Sequence, residues 1–168
     1  QFVNIGTAKI TESETDDKDW INNWKQYFKP FTVDHILIKP TWEEIPEEHK
    51  DKLLIQIDPG TAFGTGKHET TQLCIRQLRK YLKLGDSVLD VGTGSGILAM
   101  AAALLGAKTI HAVDIDEKAV EVAQENIAQN GLSSRITVNQ GNLLDGTPGQ
   151  ADLIIANIIA DIIILVLP

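Results

Sequence analysis

From residue 70 onward, the chain alternates between two hydrophobic periods, one typical of helices and one typical of short buried strands. Helices are predicted over 70–83, 97–105, 117–130 and 161–167, and strands over 87–91, 109–113, 135–139 and 152–156. Strands that alternate with helices of this length form parallel sheets, because each crossover helix packs on the sheet between two strands. We therefore predict an α/β fold with a Rossmann-like, doubly wound and mostly parallel sheet.

The first part of the chain has shorter and weaker patterns. They predict a weak strand over 2–11, a helix over 16–28, one or two strands over 31–42, a solvated charged loop over 43–52 and a short apolar strand over 53–57. Trp20, Trp24 and Phe28 lie four residues apart on one stripe of the predicted helix, a spacing typical of core packing. We expect residues 1–57 to form a linker, a helix and short strands that pack on a main domain spanning 58–168.

The segment VLDVGTGSGIL, residues 88–98, combines a strand, a glycine turn and the start of a helix. Its alternating glycines leave room for a ligand to approach the backbone, and the amides that open the helix can meet a polar group there. We therefore expect a nucleotide-like cofactor at this turn. The turn residues assigned to its binding are Gly92, Thr93, Gly94 and Gly96.

The spacing of the glycines separates two classes of cofactor. The dinucleotide fingerprint has glycine at its first, third and sixth positions, whereas here Gly96 is fifth and Ile97 is sixth. Asp90, at the end of the strand, would face a positive charge or an amino group better than a pyrophosphate. S-adenosylmethionine carries both a sulfonium and an ammonium group. The pattern therefore favours S-adenosylmethionine over a nicotinamide dinucleotide, and Asp90 is assigned to its methionine end.

Two acids stand at the end of the next strand. Asp114 lies about one βαβ half-unit beyond Gly92, where an acid can accept hydrogen bonds from both ribose hydroxyls. Asp116 directly precedes a helical pattern and is predicted to be its N-cap. Two alternatives stay open: Asp90 caps the glycine turn, and Asp114 is a solvated acid at a strand end.

Composition limits the partners and the compartment. The 168 residues suit one domain, and 23 acids against 15 bases give a net charge of −8, which repels nucleic acid and favours a basic protein substrate. The single Cys74 cannot form an internal disulfide and is interpreted as a small apolar helix residue. Without metal-ligand spacing, a signal segment or a membrane-length apolar run, we expect a metal-free, cytoplasmic monomer.

Two motifs carry a resemblance to a known family. Residues 58–71, DPGTAFGTGKHETT, resemble the signature loop of the ribosomal protein L11 methyltransferases, and residues 157–160, NIIA, are similar to that family's Asn-Ile-Leu-Ala motif. The likeness covers about 20–168. Departures from the family pattern are Lys67, Glu69 and Ile159. The resemblance implies the seven-stranded methyltransferase fold, so we expect its last three strands and the family's N-terminal docking domain to be missing from this sequence.

The same resemblance implies further site residues. It places Phe63, Gly64 and Thr65 in a loop over the cofactor. It also places Asn142 next to adenine. Asn157 is assigned to the acceptor site, both as the catalytic residue and as a cofactor contact. Asn142 and Asn157 could each instead satisfy a turn.

The implied activity is S-adenosylmethionine-dependent methylation of amino groups, on lysine side chains and the N-terminal amine, of a large-subunit ribosomal protein. Another protein lysine, a small amine, or a non-catalytic module that binds S-adenosylmethionine are the alternatives. A phosphate-binding P-loop over 60–67 is disfavoured, because its count is one residue too long and His68 replaces the magnesium-binding Ser or Thr. His68 itself is either a base or a helix-start residue packed under the loop.

Overall fold

The computed structural model describes residues 29–58, 69–144, 147 and 149–166. The elements expected over 2–11 and 16–28 lie outside these ranges. Within them, the strands are β1 (Phe31–Val33), β2 (Ile36–Lys39), β3 (Leu53–Gln56), β4 (Ser87–Val91), β5 (Thr109–Asp114), β6 (Ile136–Gln140) and β7 (Leu153–Ala156). The helices are α1 (Glu69–Tyr81), α2 (Ile97–Leu104), α3 (Glu117–Gln129) and α4 (Ala160–Val166), and a 3-10 turn covers Glu47–His49.

The helices and strands predicted from residue 31 onward are confirmed. The strands predicted within 31–42 end at Lys39, and the ends of the other elements match or differ by at most two residues. The strand β6 starts at Ile136, one residue later than predicted, and the N–H groups of Arg135 and Ile136 both donate to the carbonyl of Leu132 in the preceding turn. The segment predicted as a solvated loop over 43–52 contains the short 3-10 turn. Asp116 is confirmed as an N-cap, since its side chain accepts a hydrogen bond from the N–H of Lys118 at 3.0 Å.

The main sheet has four parallel strands in the order β6-β5-β4-β7. The chain moves outward from β4 through β5 to β6 and then returns to the other side of β4. Right-handed crossovers in one direction place α2 and α3 on the same face of the sheet. The reversal between β4 and β7 is the switch point of Rossmann-like folds, where ligands bind at the carboxyl ends of the strands. The predicted fold class is confirmed.

The two faces of this sheet are covered differently. One face carries Val88, Ile110 and Ile136 against α1, α2 and α3, in the main hydrophobic core. Every side chain of α2 from Ile97 to Ala103 is buried, because this helix lies between the sheet and its neighbours. The other face has a smaller cluster, formed by Leu89, Val91 and Val113 and partly covered by Leu143, Ala151, Ala156 and Ile158. No helix in the described ranges is long and apolar enough to span a membrane.

A second, three-stranded sheet pairs β1 with β2 antiparallel and β2 with β3 parallel. The turn between β1 and β2 contains Asp34, whose φ of 52° is left-handed. Its carboxylate lies 3.8 Å from Arg76 and 3.4 Å from Arg79 of α1. Buried Ile36 and Ile55 of this sheet belong to the same core as the helices. The small sheet therefore shares the core of the helices, and the division into residues 1–57 and 58–168 stays a prediction.

The side chain of Asn130 extends this packing to the edge of β3. Its Oδ1 accepts a hydrogen bond from the N–H of Gln56 at 2.8 Å, and its Nδ2 donates to the carbonyl of Gln56 at 2.7 Å. The amide group thus pairs with both backbone groups of one residue, as a neighbouring strand would. This contact joins the end of α3 to the strand that leads into residue 58.

We expect Asn130→Ala to lower the free energy of unfolding by about 2 kcal/mol, because it leaves two half-buried backbone groups of Gln56 without their partner. Urea unfolding measures the change. The matched control is Gln129→Ala, an exposed neighbour at the end of the same helix, expected to change stability by less than about 0.5 kcal/mol. Equal losses in the two variants would contradict the assignment.

Candidate cofactor-binding site

A cleft of about 310 Å³ lies at the carboxyl ends of β4, β5 and β7. Its walls come from the glycine turn at 92–94, the end of β5 at 113–115, the segment 141–143, Thr71 of α1 and Asn157 after β7. This is the switch point of the sheet, where the strand order reverses. Its volume is at the lower end of the range for small-molecule sites, about 300–1,000 Å³.

The glycine turn is held by β5. The backbone N–H groups of Gly92 and Thr93 both donate to the carbonyl of Val113, at 2.9 and 3.0 Å. The N–H of Gly94 donates to Oδ2 of Asp114 at 2.8 Å. The position of the turn therefore follows from the end of the neighbouring strand.

Gly92 lines the cleft and also lies against the side chain of Ile158. A Cβ atom at this position would overlap the Cγ2 methyl of Ile158, which follows β7. The sequence interpretation attributed the missing side chains of the turn to the approach of a ligand. At Gly92, the structure adds a second reason, because glycine lets the segment after β7 pack directly on the turn.

Asp90 lies beneath the turn instead of in the cleft wall. It is completely buried, and its Oδ2 accepts hydrogen bonds from Oγ1 of Thr93 at 2.7 Å and the N–H of Ala99 at 3.1 Å. No described residue donates to its Oδ1. The structure supports the alternative in which Asp90 braces the turn, and its contact with the methionine end of a cofactor stays a prediction.

Burial raises the pKa of Asp90 to about 6. The hydrogen bonds from Thr93 and Ala99 lower this pKa, and the negative charge of Asp114 raises it further.

Cys74 in α1 is half-buried against the core. Its burial, and to a smaller extent the charge of Asp90, raise the pKa of the thiol above its usual value of 9.0. The neutral thiol is consistent with the interpretation of Cys74 as a small apolar residue.

Asp114 lines the cleft with both carboxylate oxygens partly engaged. Oδ2 accepts from Gly94, and Oδ1 accepts from the N–H of Asp116 at 3.1 Å. An ionised carboxylate offers about four acceptor positions. These two backbone donors orient the group and leave acceptor capacity for a ligand with adjacent hydroxyls.

Asn157 and Thr71 meet at the opposite wall. Nδ2 of Asn157 donates to Oγ1 of Thr71 at 3.3 Å, and both residues line the cleft. One N–H of this amide is used in the contact with Thr71, and the side-chain oxygen of Asn157 is the group that can accept a hydrogen bond from a bound molecule. Thr71 was not singled out in the sequence analysis. The signal for it was its place at the end of the signature segment, in the first turn of α1.

The remaining predicted residues fall into three groups. Asn142 lines the cleft at its exposed rim. Gly96 lies just behind the wall as the N-cap of α2, where a Cβ atom would contact Ala123 at 3.4 Å. Phe63, Gly64, Thr65 and His68 lie outside the described residues.

The polar and apolar groups that line the cleft fit a nucleoside cofactor with a cationic group. Asp114 can accept from sugar hydroxyls, and apolar Ile115, Leu143 and Ile158 provide flat contacts for a base. The buried carboxylate of Asp90, whose Oδ1 has no donor among the described residues, lies directly under the turn. Negative charge on this side of the cleft is suited to a positively charged ligand and unsuited to a pyrophosphate.

Comparison with known proteins identifies the family. The sequence model of the ribosomal protein L11 methyltransferases matches residues 2–168. The chain belongs to this family. The ribosomal protein L11 methyltransferase of Caldicellulosiruptor saccharolyticus is 54% identical over 98% of this chain and 53% of its own length. The one from Carboxydothermus hydrogenoformans is 57% identical over 89% of this chain and 49% of its own.

A solved member of the family has the same fold. The ribosomal protein L11 methylase of Lactobacillus delbrueckii subsp. bulgaricus superposes with a TM-score of 0.74 at 42% identity, over 81% of this chain and 69% of that one. This likeness agrees with the Rossmann-like sheet described above. The chain spans about half the length of the curated family members that it matches.

The raised pKa of Asp90 predicts a pH-dependent stability. A carboxyl with a pKa of about 6 in the folded state and 3.8 in the reference state binds its proton more tightly when folded. Its contribution is fully present below pH 4 and is lost as the pH rises through 6, by about 3 kcal/mol. We expect Asp90→Asn to remove this decline, measured by urea unfolding between pH 4 and 8.

The control for this experiment is Asp152→Asn. The pKa of Asp152 is lowered, first by the backbone N–H of Ser87, so this exposed group contributes stability with the opposite pH dependence. Asp90→Asn with an unchanged pH profile would show that the buried carboxyl does not titrate in this range.

Proposed function

We propose that the protein transfers a methyl group from S-adenosylmethionine to amino groups of ribosomal protein L11, on lysine side chains and the N-terminal amine. The observation that carries this proposal is the meeting of Asp114 and Asn157 in one cleft at the switch point of the sheet. The family to which the chain belongs, and the relatives that it matches, are named as ribosomal protein L11 methyltransferases, which supports this activity. The cofactor, the substrate and the activity are all parts of the proposal.

The residues of the cleft have separate roles toward the cofactor. Asp114 accepts hydrogen bonds from the ribose hydroxyls, and Asn142 meets the adenine edge. Gly92, Thr93 and Gly94 present the backbone at the middle of the ligand. Asp90 acts on the methionine end through the charge beneath the turn. The resemblance to the family assigns Phe63, Gly64 and Thr65 to a loop over the cofactor.

When bound, S-adenosylmethionine would supply a methyl group on its sulfonium: the amine nitrogen would form a bond to the methyl carbon in line with the C–S bond that breaks, S-adenosylhomocysteine would leave, and the nitrogen would give up one proton to solvent. No covalent protein intermediate is needed, so the protein mainly positions the amine and excludes water. The side-chain oxygen of Asn157 accepts a hydrogen bond from the amine and aims its lone pair. Ile158 and Ile162 provide an apolar wall beside this position. Only a neutral amine has a lone pair for attack. Because the reference pKa of lysine is about 10.4, the substrate lysine must lose a proton first.

Charge supports a basic protein as the acceptor. The chain has a net charge of −8, which attracts a basic partner and repels nucleic acid. A cytoplasmic monomer that makes no direct contact with nucleic acid or membrane remains our expectation. A different lysine-bearing protein or a small amine is the alternative substrate. The assay that distinguishes an enzyme from a non-catalytic module is methyl incorporation into purified ribosomal protein L11 by the full-length protein. An enzyme turns over in this assay, and a binding module does not.

We expect Asp114→Ala to weaken the binding of S-adenosylmethionine to the full-length protein by about 10- to 100-fold. Hydrogen bonds to a charged group contribute about 1.5–3 kcal/mol, and about 1.4 kcal/mol corresponds to a factor of ten in affinity. Calorimetric titration measures the dissociation constant. Asp116→Ala is the control, since it removes a helix cap two residues away. Unchanged affinity in Asp114→Ala would remove this residue from the site, and tighter binding of NAD by the parent would overturn the proposed cofactor.

We expect Asn157→Ala to reduce kcat by about 100-fold while the dissociation constant of S-adenosylmethionine stays nearly unchanged. The reason is that orientation of the attacking amine acts in the transition state. The rate is measured at saturating cofactor and the affinity by calorimetry, with exposed Asn139→Ala on β6 as the control. A parallel loss of rate and cofactor affinity would make Asn157 a binding residue only. Parent-like turnover would leave it with a structural role.

A further inference from the structure

A buried asparagine of α3 contacts the glycine turn from behind. Asn126 is 4% exposed, and its Nδ2 donates to the carbonyl oxygen of Ser95 at 2.9 Å. Ser95 is also 4% exposed and lies inside the turn, between Gly94 and Gly96. A buried side-chain amide in a helix interior is unusual unless its hydrogen bonds are needed. Asn126 does not line the cleft, so any effect on a ligand passes through the turn.

A second asparagine, one helical turn later, contacts the backbone of the first. Nδ2 of Asn130 donates to the backbone carbonyl of Asn126 at 2.7 Å and to the carbonyl of Gln56 at 2.7 Å. These side-chain contacts, joined by the backbone of α3, run from the end of β3 to Ser95. The glycine turn is thereby connected to the strand that leads into the signature segment.

The contact acts at the most adjustable part of the turn. Gly94 and Gly96 flank Ser95 with φ values of 55° and 81°. Glycine visits both signs of φ with little cost, so the peptide groups beside Ser95 can rotate unless something holds them. The N–H of Gly96 donates to the carbonyl of Thr93 at 3.0 Å, so a rotation there would disturb the turn and the first amides of α2.

We propose that Asn126 is a positioning residue for cofactor binding: its hydrogen bond to the Ser95 carbonyl holds the glycine turn in the binding conformation before the ligand arrives. Asn130 links the end of α3 to β3 and so holds the backbone that carries Asn126. This inference rests on the proposed function, because the ligand of the turn is S-adenosylmethionine. A turn ordered in advance binds more tightly, since less conformational entropy is lost on binding.

A merely structural asparagine would have a different signature. Its removal would lower the stability of α3 without changing the turn in the folded protein. The control that reproduces this case is Val120→Ala, which removes buried apolar volume from the same helix and touches no part of the cleft. Removal of Asn126 takes one donor from the buried Ser95 carbonyl, and the effect should appear at 93–97.

The experiment uses the full-length protein with the variants Asn126→Ala, Asn126→Ser and Val120→Ala. Serine is included as the milder change, because its hydroxyl bonds back to its own helix instead of reaching Ser95. The first measurement is amide hydrogen exchange at 93–97 without any ligand. The second is the calorimetric dissociation constant of S-adenosylhomocysteine. Both are made at a temperature where thermal melts show each variant to be folded.

We expect both Asn126 variants to exchange faster at 93–97 and to bind S-adenosylhomocysteine about tenfold more weakly. Val120→Ala should lose thermal stability and retain parental exchange at 93–97 and parental affinity. Asn126 variants that bind like the parent, or changes that follow thermal stability equally in all three variants, would overturn the inference alone. A parent that binds no S-adenosylhomocysteine would overturn the proposed function and this inference with it.

Discussion

The carbonyl oxygen of Val113 receives two backbone hydrogen bonds from the glycine turn, and the cleft depends on this contact. It couples the ends of β4 and β5, which are already paired in register through Val91 and Val113. The turn is therefore held across the end of the sheet by backbone hydrogen bonds, to which the side chain of Thr93 adds its contact with Asp90. Asp114, the next residue, then lies where it both holds Gly94 and faces the cleft.

Two carboxylates approach the turn from different sides and differ in environment. Asp90 is enclosed beneath it, where burial favours the protonated form, whereas Asp114 lies at the cleft wall. Each negative charge opposes the other, as the effect of Asp114 on the pKa of Asp90 indicates. A cation bound in the cleft would relieve this repulsion, so the arrangement favours a positively charged ligand through the protein's own electrostatics.

Much of the fold could be predicted from the sequence, because parallel strands and their crossover helices leave separate hydrophobic periods along the chain. The glycine turn and Asp114 could also be predicted from the sequence, because strand ends are local features. For Asp90, the sequence left two alternatives open, a cofactor contact and a cap of the turn, because a strand of apolar residues does not reveal which face its acid occupies. Thr71 and Asn126 were missed because their partners, Asn157 and Ser95, are distant in sequence and are reached only through the tertiary fold.

The close packing of Ile158 on Gly92 joins two segments that the chain order keeps far apart. Position 92 belongs to the turn proposed to hold the cofactor, and position 158 follows the residue proposed for the acceptor. The two positions constrain each other, because a side chain at 92 would fit only if the one at 158 became smaller or moved. A substitution that reshapes the segment after β7 would therefore be limited by a glycine on the other side of the cleft.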